Sequence, residues 1–289
     1  NKQFPIFNKS HVAIKATHTR LAEHRIVIHG AGTAGVGIAH LLADVMVSQG
    51  MTREEAMQRF WGLSSHGLLI EGGRVRDFQA PFARPATEQE GWLLDNPGEY
   101  GLADVVRNVR PTILIGASAQ AGSFTEPIIR EMTSYCDKPI IMPLSNPTAK
   151  AEATPAELLT WTDGQALIAT GSPFSPVTHN GTRFDIAQAN NALIFPGIGL
   201  GVIPCRAKRV TDTMIAAAAS AVAATAADRR LGASLLPAMT QLRAISARVA
   251  VAVAQTAIAE GLAGRELVNP IQEVYEAMWQ PSYPQVEVI

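Results

Sequence analysis

One stretch, residues 25–39, constrains the fold of this chain more than any other. A short β-branched run ends there in three glycines, Gly30, Gly32 and Gly35, and an alanine- and leucine-rich helical pattern follows. The glycines have G-x-G-x-x-G spacing, which in a strand–turn–helix context is typical of dinucleotide binding. The first permits a sharp turn, the second lets a pyrophosphate approach the backbone, and the third lets helix pack on strand. We predict dinucleotide binding here, with a glycine-rich turn of no function as the alternative.

The helix after this turn is predicted to begin near Thr33. The first turn of a helix presents backbone amides without helical partners, together with the positive end of the helix dipole. These two features make a helix N-terminus an anion-binding site. We therefore expect the phosphates of a dinucleotide to lie against this end of the helix.

Strand and helix patterns alternate along the chain as far as about residue 170. The strand patterns are continuous runs rich in Val, Ile and Leu, so they predict strands buried on both faces, over residues 60–63, 111–116, 138–144 and 166–170. Such alternation predicts an α/β fold with a doubly wound, Rossmann-like parallel sheet, followed here by C-terminal helices. Ligands of such sheets bind beyond the carboxyl ends of the strands. We therefore predict one crevice lined by the loops at Gly30, Ser64, Ala117, Ser145 and Gly171.

The residue after the second predicted strand bears on the choice between NAD and NADP. A dinucleotide fold usually has an acid there that binds the ribose hydroxyls, whereas this chain has Ser64, followed by Ser65 and His66. These residues suit a 2′-phosphate, but the ribose can also be held elsewhere, with the serines forming only a turn. The pattern leaves the cofactor open as NAD or NADP.

Composition excludes several classes of partner. Lys and Arg number 24 against 25 Asp and Glu, a net charge of −1, so nothing draws the chain as a whole to nucleic acid or an anionic membrane. A small-molecule partner is favoured. Cys136 and Cys205 have neither metal-ligand spacing nor a disulfide framework, which fits a reducing cytoplasm. The alanine-rich stretches near 215–227 and 249–259 are interrupted by polar residues, so we expect buried helices rather than membrane spans, and a cytoplasmic protein without a signal peptide.

Three segments are predicted from these patterns. Residues 1–24 form a linker or the remnant of a preceding domain, residues 25–265 form the dinucleotide-binding domain with packed C-terminal helices, and residues 266–289 form a helical tail. Within the second segment, residues 78–97 are rich in proline and charge and predict a surface excursion. The aromatic side chains of the tail suit a contact between subunits.

Six stretches, in this order, together resemble the malic enzyme family. They are residues 28–39, 115–118 with 124–126, 143–148, 161–164, 170–174, and 190–191 with 195–201. The resemblance is close over residues 19–201 and looser beyond. It implies oxidative decarboxylation of L-malate to pyruvate and carbon dioxide, with NAD or NADP as hydride acceptor and Mg or Mn as the metal. It also implies a homo-oligomer, either a dimer or a tetramer.

The resemblance also implies roles for individual residues. The pyrophosphate would be bound by Gly30, Gly32, Thr33, Ala34 and Gly35. Ser118 would lie beside the cofactor, and Ser64 is the candidate ribose contact. Asn146 would bind both malate and the nicotinamide end of the cofactor, with Asn190 and Asn191 as further malate contacts. A neutral amide suits this task, since it donates to a carboxylate or hydroxyl and accepts in return without adding charge.

The chain departs from the family in its acids and bases. Family members carry a tyrosine and a lysine as an acid–base pair and several acidic metal ligands, and this sequence has no counterpart of them; Asn8, for example, is followed by Lys9 where acids stand in the family. We therefore assign no catalytic residue and no metal ligand, and expect the Mg or Mn ligands to lie outside this chain, which would be inactive alone. The alternatives are a malolactic enzyme, converting malate to lactate with NAD retained, and a non-catalytic nucleotide-binding module.

Overall fold

The computed structural model describes residues 19–225 and 230–279. These residues form two compact units, one lying within Asn1–Asn191 and Ala226–Ala238 and the other within Ala192–Thr225 and Met239–Ile289. The three segments predicted from the sequence stay a prediction.

The first unit is built on a seven-stranded sheet with the order β3-β2-β1-β4-β5-β6-β9. Its strands are β1 (Ile26–His29), β2 (Phe60–Ser64), β3 (Gly67–Leu68), β4 (Ile113–Gly116), β5 (Ile140–Pro143), β6 (Leu167–Thr170) and β9 (Ala187–Gln188), and a separate hairpin is formed by β7 (Val177–His179) and β8 (Thr182–Phe184). All pairs in the large sheet are parallel except β2 with β3. The predicted α/β, Rossmann-like fold is confirmed.

Strand β1 lies at the reversal of strand order. It pairs with β2 on one side and with β4 on the other, so the chain leaves β1 first toward one edge of the sheet and later toward the opposite edge. This is the topological switch point, where the loops beyond the carboxyl ends of adjacent strands separate and leave a crevice.

Two of the helices of this unit begin at side-chain capping boxes. The helices of the unit are α1 (Thr33–Ser48), α2 (Arg53–Met57), α3 (Leu102–Val109), α4 (Glu126–Thr133) and α5 (Pro155–Trp161). Thr52 with Glu55 and Thr154 with Glu157 form capping boxes at the starts of α2 and α5, each satisfying two backbone amides that the helix leaves without partners.

Side chains alternate across the sheet and fill a layer on each face. Val27, Leu114 and Ile141 belong to one buried cluster that includes residues of α3, α4 and α5. Ile28 points the other way, toward α1, where a Cβ on Gly35 would come within 2.9 Å of its methyl group. The strands are buried on both faces, as their continuous apolar runs predict.

Sequence patterns missed the shortest strands and did not show that one surface segment also packs on the sheet. Strands β3 and β9 have two residues each, too few for any periodicity to show. The predicted surface excursion at 78–97 is only partly exposed, because Gln79, Phe82 and Gln89 are buried. Phe82 packs edge-on against Phe60 of β2, so this segment covers the sheet rather than leaving it.

The second unit consists of helices that pack on one another. They are α6 (Phe195–Val202), α7 (Asp212–Ala223), α8 (Leu242–Ala259) and α9 (Pro270–Ala277). Helix α8 buries Ile245, Val249 and Val253 along one face. Together with the turn before it, α8 forms the one stretch of the described residues, Met239–Ala259, that is long and apolar enough to cross a membrane by length and composition. Its buried face is that of a core helix.

Helices α6 and α8 approach closely through glycine. A Cβ on Gly197 would lie 2.5 Å from Cβ of Val249, and a Cβ on Gly201 would lie 2.9 Å from Cβ of Val253. Gly199, between them on the same helix, faces open space, with nothing within 4 Å of an added Cβ.

This contrast gives a matched pair of variants. Gly197→Ala is expected to lower the free energy of unfolding by about 1–3 kcal/mol, because the methyl group overpacks the contact with α8. Gly199→Ala is expected to raise it by up to about 1 kcal/mol, because alanine is the better helix former and meets no obstacle. Urea denaturation followed by circular dichroism measures both; equal effects of the two substitutions would contradict the close packing of α6 on α8.

Candidate functional site

The glycine turn after β1 is held against the loop that follows β4. Gly30 has a φ of 105°, which favours glycine, and a Cβ on it would lie 2.4 Å from the carbonyl carbon of Ala117. A Cβ on Gly35 would lie 2.3 Å from the carbonyl oxygen of Gly30, so α1 packs tightly on the turn. Two of the three predicted glycine functions, the sharp turn and the close helix packing, are therefore visible as contacts.

Gly32, unlike Gly30 and Gly35, has space beside it for a side chain. It occupies the N-cap position of α1, in an extended conformation, and no side chain caps the helix. An added Cβ would meet nothing within 4 Å. The first turn of α1, which includes Thr33 and Ala34, therefore begins beside open space, as an anion-binding helix N-terminus requires.

Gln79, which lies in the segment that covers the sheet, holds this turn through a hydrogen bond. Its buried amide donates a hydrogen bond of 2.6 Å to the carbonyl oxygen of Ala31, and its side-chain oxygen accepts one from the amide of Arg76. Sequence patterns gave no sign of this contact, because it joins residues 48 positions apart.

A cleft of about 330 Å³ opens at the carboxyl edge of the sheet, within the first unit. Its size is that of a site for a small ligand or part of a larger one. Its lining comes from α1, from the loops after β4, β5 and β6, and from the segment after β9; it includes Ala34, Ala117, Ala119, Ser145, Asn146, Gly171, Gln188, Asn190 and Asn191. Three of the five loops predicted to share a crevice, those at Ala117, Ser145 and Gly171, are brought together here.

Four of the predicted binding residues line this cleft, namely Ala34, Asn146, Asn190 and Asn191. The other predicted cofactor contacts, Gly30, Gly32, Thr33, Gly35, Ser64 and Ser118, are not among the residues that line it, although the first four are neighbours of Ala34 in the chain. Their roles in binding stay predictions. Gln188 of β9, which lines the same cleft, was missed because its strand is too short to recognise from sequence.

Asn146 is fixed by its neighbours. Its side-chain oxygen accepts a hydrogen bond of 2.5 Å from the hydroxyl of Ser172, and its Nδ2 donates to the carbonyl oxygen of Leu144 at 3.3 Å. A Cβ on Gly171 would lie 2.1 Å from the same carbonyl oxygen, so the loops after β5 and β6 are in contact. The amide of Asn146 is thereby oriented at the cleft wall.

Ser118 and Ser145 share an acceptor that the sequence did not reveal. Glu152, which is 0% exposed, accepts hydrogen bonds from the backbone amide and hydroxyl of Ser118, each at 3.0 Å, and from the hydroxyl of Ser145 at 2.5 Å. We name the two segments it joins the β4 loop (residues 117–120) and the β5 loop (residues 144–148). Glu152 belongs to no motif, so only its three-dimensional position identifies it.

Ser64 forms a turn at the end of β2. Its hydroxyl oxygen accepts from the amide of His66 at 3.1 Å and its hydroxyl donates to the carbonyl oxygen of Gly67 at 3.3 Å. It is not among the residues that line the cleft. A contact of Ser64 with a ribose stays a prediction.

Residues 19–225 and 230–279, which the structure describes, contain no cluster of metal-binding side chains. Within them, no group of three or more His, Cys, Asp or Glu side chains comes together to hold an ion. Asp163, one of the scattered acids, instead accepts a hydrogen bond from Asn180 at the surface. These residues do not fit a Mg or Mn site.

His29, the last residue of β1, is buried close to Glu152. It is 8% exposed, and burial lowers the pKa of its imidazole below the ordinary value of about 6.5. The charge of Glu152 and the side chain of Gln120 oppose this shift, but neither ring nitrogen makes a hydrogen bond of normal geometry to the described residues.

The lowered pKa of His29 predicts that the folded protein loses stability in acid. Below pH 6.5 the unfolded chain takes up a proton that the folded chain does not, so the free energy of unfolding falls as the pH falls. His29→Leu is expected to remove this loss, so that the variant gains on the wild type by up to about 1.4 kcal/mol per pH unit below that value. Urea denaturation near pH 7.5 and near pH 5.5 measures the gain, with the exposed His66→Gln as control; a gain that does not depend on pH would refute the assignment.

Comparison with known proteins agrees with this architecture. Residues 10–258 match the family described as "Malic enzyme, NAD binding domain". NAD-dependent malic enzyme 3 of Bacillus subtilis (strain 168) is 47% identical over 277 residues, which are 95% of this chain and 49% of that protein. The NAD-dependent malic enzyme of Shewanella frigidimarina (strain NCIMB 400) is 46% identical over 275 residues, which are 94% of this chain and 49% of that protein. The chain thus spans about half the length of these curated relatives.

Solved structures show the same fold. The crystal structure of Entamoeba histolytica malic enzyme matches with a TM-score of 0.70 and 26% identity, over 95% of this chain and 51% of that one. The malic enzyme of Pyrococcus horikoshii matches with a TM-score of 0.69 over 96% of this chain and 57% of that one, and at 24% identity it supports the fold alone. On the family match over residues 10–258, the chain belongs to the malic enzyme NAD-binding domain family.

Proposed function

We propose that this chain provides the NAD-binding site of a malic enzyme, which oxidises and decarboxylates L-malate to pyruvate and carbon dioxide. One observation carries the proposal: the first turn of α1, whose N-cap Gly32 offers no side chain, contributes Ala34 to a cleft that is also lined by Asn146. An anion-binding helix end and an oriented amide thus meet at the switch point of a doubly wound sheet, where such sheets bind dinucleotides. The relatives' printed names support NAD as the cofactor.

In this proposal the residues of the chain bind and orient the reactants. The first-turn amides and the dipole of α1 bind the pyrophosphate, and the open face of Gly32 lets it come close. Nδ2 of Asn146 carries a second hydrogen that can donate to a carboxylate or hydroxyl of malate, and Asn190 and Asn191 offer further amides at the same cleft. NAD, when bound, accepts the hydride removed from the alcohol carbon of malate.

No step of the decarboxylation is assigned to a metal, since the described residues do not fit one. We likewise assign no general base among them. Malate as substrate, pyruvate as product, a homo-oligomeric assembly and a cytoplasmic location are proposed for the whole enzyme.

A substitution at Gly32 tests the binding site without disturbing the fold. The extended backbone at this position is accessible to alanine, and the added methyl group meets no atom of the described residues within 4 Å. Gly32→Ala is therefore expected to unfold at the wild-type temperature yet to bind NADH about tenfold or more weakly, because the methyl group occupies the path of the pyrophosphate.

The measurement is fluorescence titration of NADH against the 289-residue chain, with thermal unfolding in parallel. Gly199→Ala, which also adds a methyl group on an open glycine, is the control and should bind like the wild type. A wild-type chain that does not bind NADH would overturn the proposed function.

Ser64→Asp tests how the cofactor is selected. An aspartate can still accept the amide of His66, so the turn should be kept. If the adenosine ribose lies at this turn, the new charge repels a 2′-phosphate, and the ratio of NADPH to NADH dissociation constants should rise about tenfold. Ser134→Asp, an exposed serine at the end of α4, adds the same charge elsewhere as control. An unchanged ratio means that Ser64 does not face the ribose.

A further inference from the structure

Glu152 is an acidic side chain with no solvent contact, and its carboxylate accepts hydrogen bonds from Ser118 and Ser145. Its Oε1 accepts from the amide and hydroxyl of Ser118 and from the hydroxyl of Ser145, and its Oε2 accepts from the amide of Ser145 at 3.4 Å. A carboxylate is an acceptor only, and hydrogen bonds to a charged acceptor are about twice as strong as neutral ones. This arrangement offsets the cost of burying the charge.

The two serine hydroxyls have a fixed direction. The hydroxyl oxygen of Ser145 accepts from the amide of Ala119 at 2.8 Å, and that of Ser118 accepts from the amide of Gln120 at 3.1 Å. Each hydroxyl therefore turns its proton toward Glu152. The backbone of the β4 loop is thus joined to Ser145 of the β5 loop through a network that ends on a single carboxylate.

The backbone at Glu152 is held by hydrogen bonds separate from those of its carboxylate. The carbonyl oxygen of Glu152 accepts from the amide of Phe124 at 3.0 Å, and that of Ala151 accepts from Gly122 at 3.2 Å. The side chain then extends over Gly116, where a Cβ would come within 2.5 Å of its carboxyl carbon. The backbone anchors Glu152, and the side chain in turn anchors the two loops.

Both loops line the cleft of the proposed function. The β4 loop contributes Ala117 and Ala119, and the β5 loop contributes Ser145 and Asn146. We propose that Glu152 is a positioning residue that fixes the spacing of the β4 and β5 loops and thereby the geometry in which the cleft binds a dinucleotide. This inference rests on the proposed function.

The first test replaces the acceptor. Glu152→Gln removes the negative charge, and its side-chain NH2 group, itself a donor, replaces one of the oxygens that accept from Ser118 and Ser145. The 289-residue variant is expected to bind NADH about tenfold more weakly, which corresponds to about 1.4 kcal/mol. Ser145→Ala, a milder change that cuts the link between Ala119 and Glu152, is expected to weaken binding in the same direction. The loss of NADH binding free energy in the double variant should be smaller than the sum of the two single losses, because both substitutions act through one network.

A matched control separates positioning from general destabilisation. Asp104, in α3, is another buried carboxylate, 4% exposed. It accepts hydrogen bonds from the backbone amides of Asp95 and Gly101 and from the side chain of Arg107, and it is not among the residues that line the cleft. Asp104→Asn is expected to lower the unfolding temperature and leave the dissociation constant of NADH unchanged. If Glu152→Gln lowers only the unfolding temperature, as this control does, the residue is merely structural and the proposal is overturned.

Hydrogen exchange gives a readout that needs no ligand. The amides of Ser118 and Ala119 should exchange faster in Glu152→Gln, while those of the first turn of α1 should not change. A wild-type chain that fails to bind NADH overturns the proposed function, whereas unchanged exchange in the β4 loop overturns the positioning role itself. Faster exchange with unchanged NADH binding would also overturn it, since the loops would then move without consequence for the cleft.

Discussion

The first unit depends on the pairing of β1 with strands on both of its sides. Because β1 and β4 are parallel neighbours, the turn after β1 and the loop after β4 lie side by side at the same end of the sheet. They are in backbone contact there, with Gly30 against the peptide that follows β4. The cleft, the start of α1 and Asn146 lie at this same end, where a doubly wound sheet binds its ligands.

The parts of this architecture that follow from local rules were predictable. Continuous apolar runs predict strands buried on both faces, and a threonine three residues before a glutamate predicts the helix starts at Thr52 and Thr154. The glycine spacing predicted the sharp turn at Gly30 and the close helix packing at Gly35, because each of these glycines meets a separate steric demand. The rule that ligands bind beyond the carboxyl ends of parallel strands predicted one crevice, and three of the five predicted loops line the same cleft although no motif connects them.

The remaining features depend on contacts that no local pattern records. Glu152 reaches Ser118 across 34 residues and Gln79 reaches Ala31 across 48, and in sequence both look like ordinary polar residues. Strand β9 is recognisable only by its partner β6. Ser64 shows a different difficulty: a serine that closes a turn and a serine that faces a ribose have the same sequence signature, so the choice of cofactor stayed open at that position.

Gly30 leaves no route for compensation. Two independent restrictions meet there, a left-handed backbone and an obstacle less than 3 Å from any added carbon. The obstacle is the main chain of residues 117 and 118, which every amino acid shares, so trimming a neighbouring side chain cannot make room. A genetic selection for second-site suppressors of a Gly30 lesion should therefore return true revertants, and a library randomised at this codon should collapse to a single residue.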